Sequence, residues 1–184
     1  MILLGDDFLR HFEKVLDSSS VYEGKIINVF RDKVLLENGA CAAREVVRHK
    51  GAVAVLAVDK NGEAFFVRQF RYPIGQEILE VPAGKLEGGE IPLECARREL
   101  LEECGVAAES WTELGPIYTS PGFCDEVIWL FFAKDLSEKG QHLDEDEFLD
   151  IVKMPFAEAL EKAKSGCFRD GKTQLAVLRC AEFV

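Results

Sequence analysis

The residues best equipped for chemistry lie between Gly84 and Val106, in the run GKLEGGEIPLECARRELLEECGV. Glu99, Glu102 and Glu103 fall at i, i+3 and i+4, a spacing that brings three carboxylates onto one helical face. Acids so close repel one another. Solvent screening relieves the repulsion on an open face. A hard divalent cation relieves it better, since carboxylate oxygens suit Mg²⁺ or Mn²⁺ and not thiophilic metals. A solvated acidic cluster on an exposed helix is the competing reading of the same spacing.

The helix that must carry these groups is marked at both ends. Pro92 sits near its start, where a missing N–H costs nothing, and Gly105 stands just past its end as a C-cap. Leu93, Ala96, Leu100 and Cys104 form the apolar stripe that docks it on a core. Gly84, Gly88 and Gly89 read as turn residues and not as a phosphate cradle, because no Gly-Lys-Ser/Thr follows them.

Around this helix the chain predicts a mixed set of elements. Residues 6–16 read as a short N-terminal helix ended by Ser18–Ser20. Two strands meeting near Arg31-Asp32 are expected between Tyr22 and Glu37, then a turn at Asn38-Gly39 and a third strand from Ala42 to Arg48. Further strands are expected at Val53–Val58, Ala64–Phe70, Ile78–Val81, Leu114–Thr119, Val127–Ala133 and Asp150–Met154. Asp135 to Glu147 reads as a polar, acidic loop. Phe156–Lys164 and Thr173–Cys180 read as the last two helices. The fold class is α+β, an α/β/α sandwich with a mixed sheet and an N-terminal strand-rich extension. Residues 1–48 form that extension, a helix and a small antiparallel sheet, and residues 49–184 the main domain. So small a sheet buries little alone and should pack on the main domain or on a second subunit.

At 184 residues, about half of them apolar and 30% charged, the chain has ordinary globular composition. A net charge of −11 argues against a general nucleic-acid surface. The same field repels a phosphate substrate unless cations or arginines offset it locally. The six cysteines form no CxxC pair, and Cys95 and Cys104 on the central helix suit reduced, partly buried thiols. No stretch reads as a signal peptide or a bilayer span, so cytoplasm is the plain expectation.

The central run resembles the signature of the Nudix hydrolases at every specified position: Gly84, Glu90, Arg98, Glu99, Leu100, Glu102, Glu103, Gly105 and Val106. The resemblance implies a Mg²⁺-dependent enzyme, with Mn²⁺ a possible substitute, that cleaves a nucleoside diphosphate linked to another group. It places the metal on Glu99, Glu102 and Glu103 together with the backbone carbonyl of Ala83. Glu90 and Arg98 read as a structural ion pair holding the loop to the helix.

Flanking residues resemble the ADP-ribose pyrophosphatase branch. Pro121, fifteenth after Val106, matches its marker proline, and Glu126 a glutamate of the adjoining loop. Arg71 matches a diphosphate-contacting arginine, for which a guanidinium fork is suited. Arg44-Glu45 matches a pair that reaches the substrate, and in that family Arg44 can come from the partner subunit of a homodimer. Glu80 is a second-rank candidate near the metal. Glu147 matches the general base of an acidic loop, Glu145 is its neighbour, and Glu99 and Glu102 are alternative bases. Lys25 departs from the pattern, standing where some members have an adenine-stacking aromatic. The reading implied is hydrolysis of ADP-ribose to AMP and ribose 5-phosphate by a homodimer that needs neither nucleic acid nor membrane. A broader nucleoside diphosphate-sugar pyrophosphatase and a non-catalytic nucleotide-binding domain are the alternatives.

Overall fold

The computed structural model describes residues 11–143 and 147–184, which fall into two compact units. One takes in the chain up to His49 with Ser120–Asp125; the other is Lys50–Thr119 with Glu126–Val184.

The first unit is an antiparallel meander of β1 (Lys14–Glu23), β2 (Ile27–Leu35) and β3 (Cys41–His49). It corrects the N-terminal expectations. Residues 6–10 of the expected helix lie outside the described residues, and Lys14–Leu16 are strand, paired to β2 from Lys14 opposite Leu35. Ser18–Ser20 end nothing. Ser18 Oγ donates to Asp32 Oδ1 at 2.6 Å and Ser19 Oγ to the Arg31 carbonyl at 3.1 Å, so the hydroxyls reinforce the ladder. No break occurs at Arg31-Asp32. The reversal lies earlier, where Gly24 N–H donates to the Ile27 carbonyl at 3.0 Å. Ser120–Asp125 is tied to β3 by Val47 N–H on the Phe123 carbonyl (2.7 Å) and Asp125 N–H on the Val47 carbonyl (3.1 Å).

The second unit is built on a seven-stranded sheet. β4 (Ala52–Val58), β5 (Glu63–Arg71), β8 (Val106–Tyr118), β9 (Val127–Glu138) and β10 (Leu149–Pro155) run in the order β10-β5-β4-β9-β8. β6 (Gln76–Glu80) pairs with β5 and the short β7 (Ala83–Lys85) with β4. Only β4 and β9 are parallel; the other pairs are antiparallel. All seven residues of β4 are buried, as expected for a strand covered on both faces. Its alternation splits the core. Val53, Val55 and Ala57 face Cys95, Ala96 and Leu100 of α1 (Pro92–Cys104), while Ala54 and Leu56 join Ala159 of α2 (Phe156–Lys164) and Ala176 and Val177 of α3 (Gly171–Arg179). This is the α/β/α layering that the sequence predicts.

Two strands run beyond their expected limits. β8 starts at Val106, directly after the helix cap, and carries a bulge at Leu114, where Glu113 pairs with Phe131 but Gly115 with Leu130. β9 continues to Glu138 through the first part of the expected acidic loop, whose residues 144–146 lie outside the described residues. None of the helices described is long and apolar enough to cross a membrane.

Candidate active site

α1 begins on Pro92 at its first turn and stops on Gly105, whose N–H makes the last helical bond to the Leu101 carbonyl at 2.9 Å and whose left-handed φ of 66° then turns the chain out of the helix. A side chain there would also meet Gln141 N at 2.7 Å, so shape and conformation both require glycine. Docking of Cys95, Ala96, Leu100 and Cys104 into the core turns Glu99 (6% exposed) and Glu103 (2%) inward as well. They meet β7.

β7 presents backbone groups to them because of ladder alternation. Val55 N–H donates to the Pro82 carbonyl and Leu86 N–H to the Gly51 carbonyl, so Ala83, opposite Ala54, is a non-hydrogen-bonded position of the pair. Its N–H and C=O therefore face away from β4, and the N–H donates to Glu103 Oε2 at 2.9 Å. Gly84 is strand and not turn, which corrects the expectation. Its glycine requirement comes from packing: a Cβ there would lie 1.8 Å from the Glu99 carboxyl carbon. Gly88 and Gly89 do sit in the turn before α1.

Arg98 organises the rim of this cluster. Its Nε and Nη2 fork onto the two oxygens of Glu90 at 3.1 and 3.0 Å, and Nη1 bridges Glu99 Oε1 (2.8 Å) and Glu102 Oε2 (3.0 Å). The fork holds the Glu90 carboxyl down to about 2. Glu99 and Glu103 move the other way. Burial pushes Glu99 up to about 7 against the pull of Arg98, with the charges of Glu102 and Glu147 adding to the rise. Burial pushes Glu103 up to about 8 despite the Ala83 N–H, again with help from Glu99 and Glu147. Half-buried Glu147 thus lies within electrostatic reach of both buried acids.

Among the described residues no three Asp, Glu, His or Cys side chains converge closely enough to hold an ion as they stand. The reason is visible in the hydrogen bonds: Arg98 bridges Glu99 and Glu102, while Glu103 is engaged by Ala83. The donor chemistry nonetheless fits a hard divalent cation. Two carboxylates pushed towards neutrality by burial, a third beside them and an outward-facing carbonyl make an all-oxygen set.

Arg71, at the end of β5, has Nε and Nη2 on Glu80 Oε1 and Oε2 at 2.6 and 2.8 Å. Glu80 is 1% exposed and also takes a hydrogen bond from Lys172 of α3. Burial alone would raise its carboxyl, yet Arg71 and Lys172 hold it below the usual range. Lys172 was not among the sequence candidates. A glutamate between Leu79 and Val81 was the available signal, because a buried carboxylate needs cationic partners.

The other candidates divide between the units. Glu126, in the second, accepts from Thr119 Oγ1 at 2.8 Å. Arg44, Glu45 and Pro121 belong to the first. There Arg44 Nε donates to Glu13 Oε2 at 2.9 Å, Glu45 lies opposite Arg31 in the β2–β3 ladder, and Pro121 is exposed in the segment beside β3. Lys25 sits in the β1–β2 reversal. Glu145 lies outside the described residues.

Comparison with known proteins agrees with this geometry. Residues 48–172 match the NUDIX domain model. Over 167 residues, 90% of each chain, the sequence is 44% identical to an ADP-ribose pyrophosphatase of Bacillus subtilis (strain 168). Over the same length and coverage it is 44% identical to a methanol dehydrogenase activator of Bacillus methanolicus. The crystal structure of an ADP compounds hydrolase superposes with a TM-score of 0.81 at 23% identity over 93% of both chains, which shows the shared fold. With the signature complete from Gly84 to Val106 and its buried Glu99 and Glu103 set against β7, the chain belongs to the Nudix family.

Proposed function

We propose that this protein is a Mg²⁺-dependent ADP-ribose pyrophosphatase that hydrolyses the diphosphate of ADP-ribose to AMP and ribose 5-phosphate. The observation that carries the reading is the pair of buried signature glutamates set against β7, Glu103 on Ala83 and Glu99 on Gly84, in a chain 44% identical to a protein of that name. Simple nucleotide binding does not require such a cluster.

Glu99, Glu102, Glu103 and the Ala83 carbonyl would hold the cation, Mg²⁺ or Mn²⁺. When bound, it supplies positive charge to the diphosphate oxygens and acidifies water. Arg71 places its guanidinium on the diphosphate and fixes its orientation. Glu147 accepts a proton from the attacking water as its oxygen bonds to one phosphorus and the bond to the bridging oxygen breaks. Glu99 and Glu102 are the alternative bases. Arg98 keeps Glu99 and Glu102 in place from its anchor on Glu90, so it positions the site without touching the reacting atoms.

Arg44, Glu45, Pro121 and Glu126 complete the substrate contacts, with residues 1–48 as the dimerisation element and Arg44 reaching the partner's substrate. Residues 49–184 form the hydrolase domain. All six cysteines are free, which supports a reducing cytoplasmic setting.

A substrate panel tests the reading. ADP-ribose, ADP-glucose, UDP-glucose, NADH, FAD and diadenosine polyphosphates are incubated with Mg²⁺ or Mn²⁺ and the products separated by chromatography. Selective release of AMP from ADP-ribose supports it. Faster cleavage of another sugar nucleotide moves the assignment to a broader nucleoside diphosphate-sugar pyrophosphatase. ADP-ribose binding with no turnover of any member establishes a binding module instead.

A further inference from the structure

We infer that Lys172, at the start of α3, is a positioning residue for Arg71 and thereby sets affinity for the substrate diphosphate. The inference rests on the proposed contact between Arg71 and that diphosphate.

The observations form one chain of contacts. Glu80 is 1% exposed, and the Arg71 fork covers both of its oxygens. Lys172 Nζ adds a third hydrogen bond at Oε2. The lysine is itself largely enclosed, its side chain 11% exposed, and it is held at 3.0 Å by Asp170 Oδ2. That same oxygen caps α3, accepting from Thr173 N at 3.0 Å and from Thr173 Oγ1 at 2.5 Å. Thr173 Oγ1 in turn accepts the Val81 N–H at 2.9 Å, and two residues further on is Ala83, whose N–H holds Glu103. The N-terminus of α3 is thus fastened both to the carboxylate that aims Arg71 and to the strand segment that meets the buried acids.

Electrostatics explain why a second cation is needed. A guanidinium that spends its charge on a buried carboxylate has less to offer an incoming diphosphate. Lys172 supplies a second positive charge to Glu80, so Arg71 is aimed by the carboxylate without being fully neutralised by it. The four groups Arg71, Glu80, Asp170 and Lys172 sum to zero, which lets the network sit in a mostly closed place. A purely structural lysine would stabilise the fold and leave substrate affinity alone.

The test is steady-state hydrolysis of ADP-ribose with Mg²⁺ by full-length K172M, K172R, R71A and R71A/K172M, with each fold checked by thermal melting. In K172M, KM rises about tenfold while kcat stays within about threefold, the split expected of lost orientation and charge on a binding arginine. K172R returns KM to within about twofold of the parent, and in the R71A background K172M adds less than about twofold, because the effect travels through Arg71. Should K172M not fold, K172Q, which keeps a neutral hydrogen-bond donor near Glu80 and Asp170 but removes the charge, is read in its place with the same expected rise. A raised KM in R71A with an unchanged KM in K172M overturns the inference alone. So does an equal rise from K172M with and without Arg71. An unchanged KM in R71A overturns the Arg71 contact itself and the inference with it.

Discussion

Replacing Gly84 by alanine separates the site from the fold. The new Cβ would stand 1.8 Å from both Cδ and Oε1 of Glu99 and 2.3 Å from Oε2. Ordinary contact begins near 3.4 Å, so the carboxylate must retreat by about 1.6 Å. That motion breaks its 2.8 Å bond to Arg98 and removes it from its place beside Gly84 and near Glu103. Misplacing a catalytic group by about 1 Å costs on the order of a hundredfold, so kcat/KM should fall at least that far, about 2.7 kcal/mol of transition-state stabilisation. Stability should hardly change. Gly84 has no left-handed φ, the displaced atoms end a flexible side chain, and Gly→Ala at a compatible position is worth only about 0.4–1 kcal/mol in favour of the fold. Steady-state kinetics and Mn²⁺ binding by electron paramagnetic resonance, beside thermal melting, read the two effects apart. G88A, four residues along with nothing within 4 Å of its Cβ, is the control and keeps full activity. Activity in G84A within threefold of the parent would show that Glu99 does not work from where it lies.

Other expectations follow from the same geometry. In metal-free protein Glu99 and Glu103 keep protons that the unfolded chain has already released, so their contribution to stability is fully present below the unfolded value of 4.5 and is lost as pH rises towards about 8. Calorimetry should show a melting temperature falling over that range, more shallowly in E103Q; equal slopes would contradict the burial of Glu103. R98K loses the fork onto Glu90 and the bridge to Glu99 and Glu102, and should lower kcat/KM by about tenfold to a hundredfold while leaving ADP-ribose binding, measured by calorimetry, within a few fold. L100A, truncating a fully buried residue of α1, should cost about 2–5 kcal/mol in denaturant unfolding.

The elements legible in the sequence are those whose pattern records burial. β4 reads as a continuous apolar run because both its faces are covered, and α2 reads from Phe156 to Lys164 because Phe156, Ala159 and Ala163 mark one helical face. β1 is the opposite case. All ten of its residues are exposed, so no alternation exists to be read, and only distant pairing with β2 makes it a strand. β8 was read only after its bulge, since the extra residue at Leu114 shifts the period midway. At the site, the helix spacing of Glu99, Glu102 and Glu103 is local and visible. What opposes them is not. The nearness of Gly84 to Glu99 and the bond from Lys172 to Glu80, 92 residues apart, exist only once the sheet has brought β6, β7, α1 and α3 together.

The most direct test of the catalytic reading is a Mg²⁺ titration of ADP-ribose hydrolysis by the parent and by E103Q, with AMP and ribose 5-phosphate quantified by chromatography. Glutamine keeps an acceptor for the Ala83 N–H but removes the charge. The parent should release both products only when Mg²⁺ is present, and E103Q should lose at least about a hundredfold in rate while remaining folded. Metal-independent turnover, or parent-like turnover by folded E103Q, would contradict the assignment of the buried glutamates as the centre of the reaction.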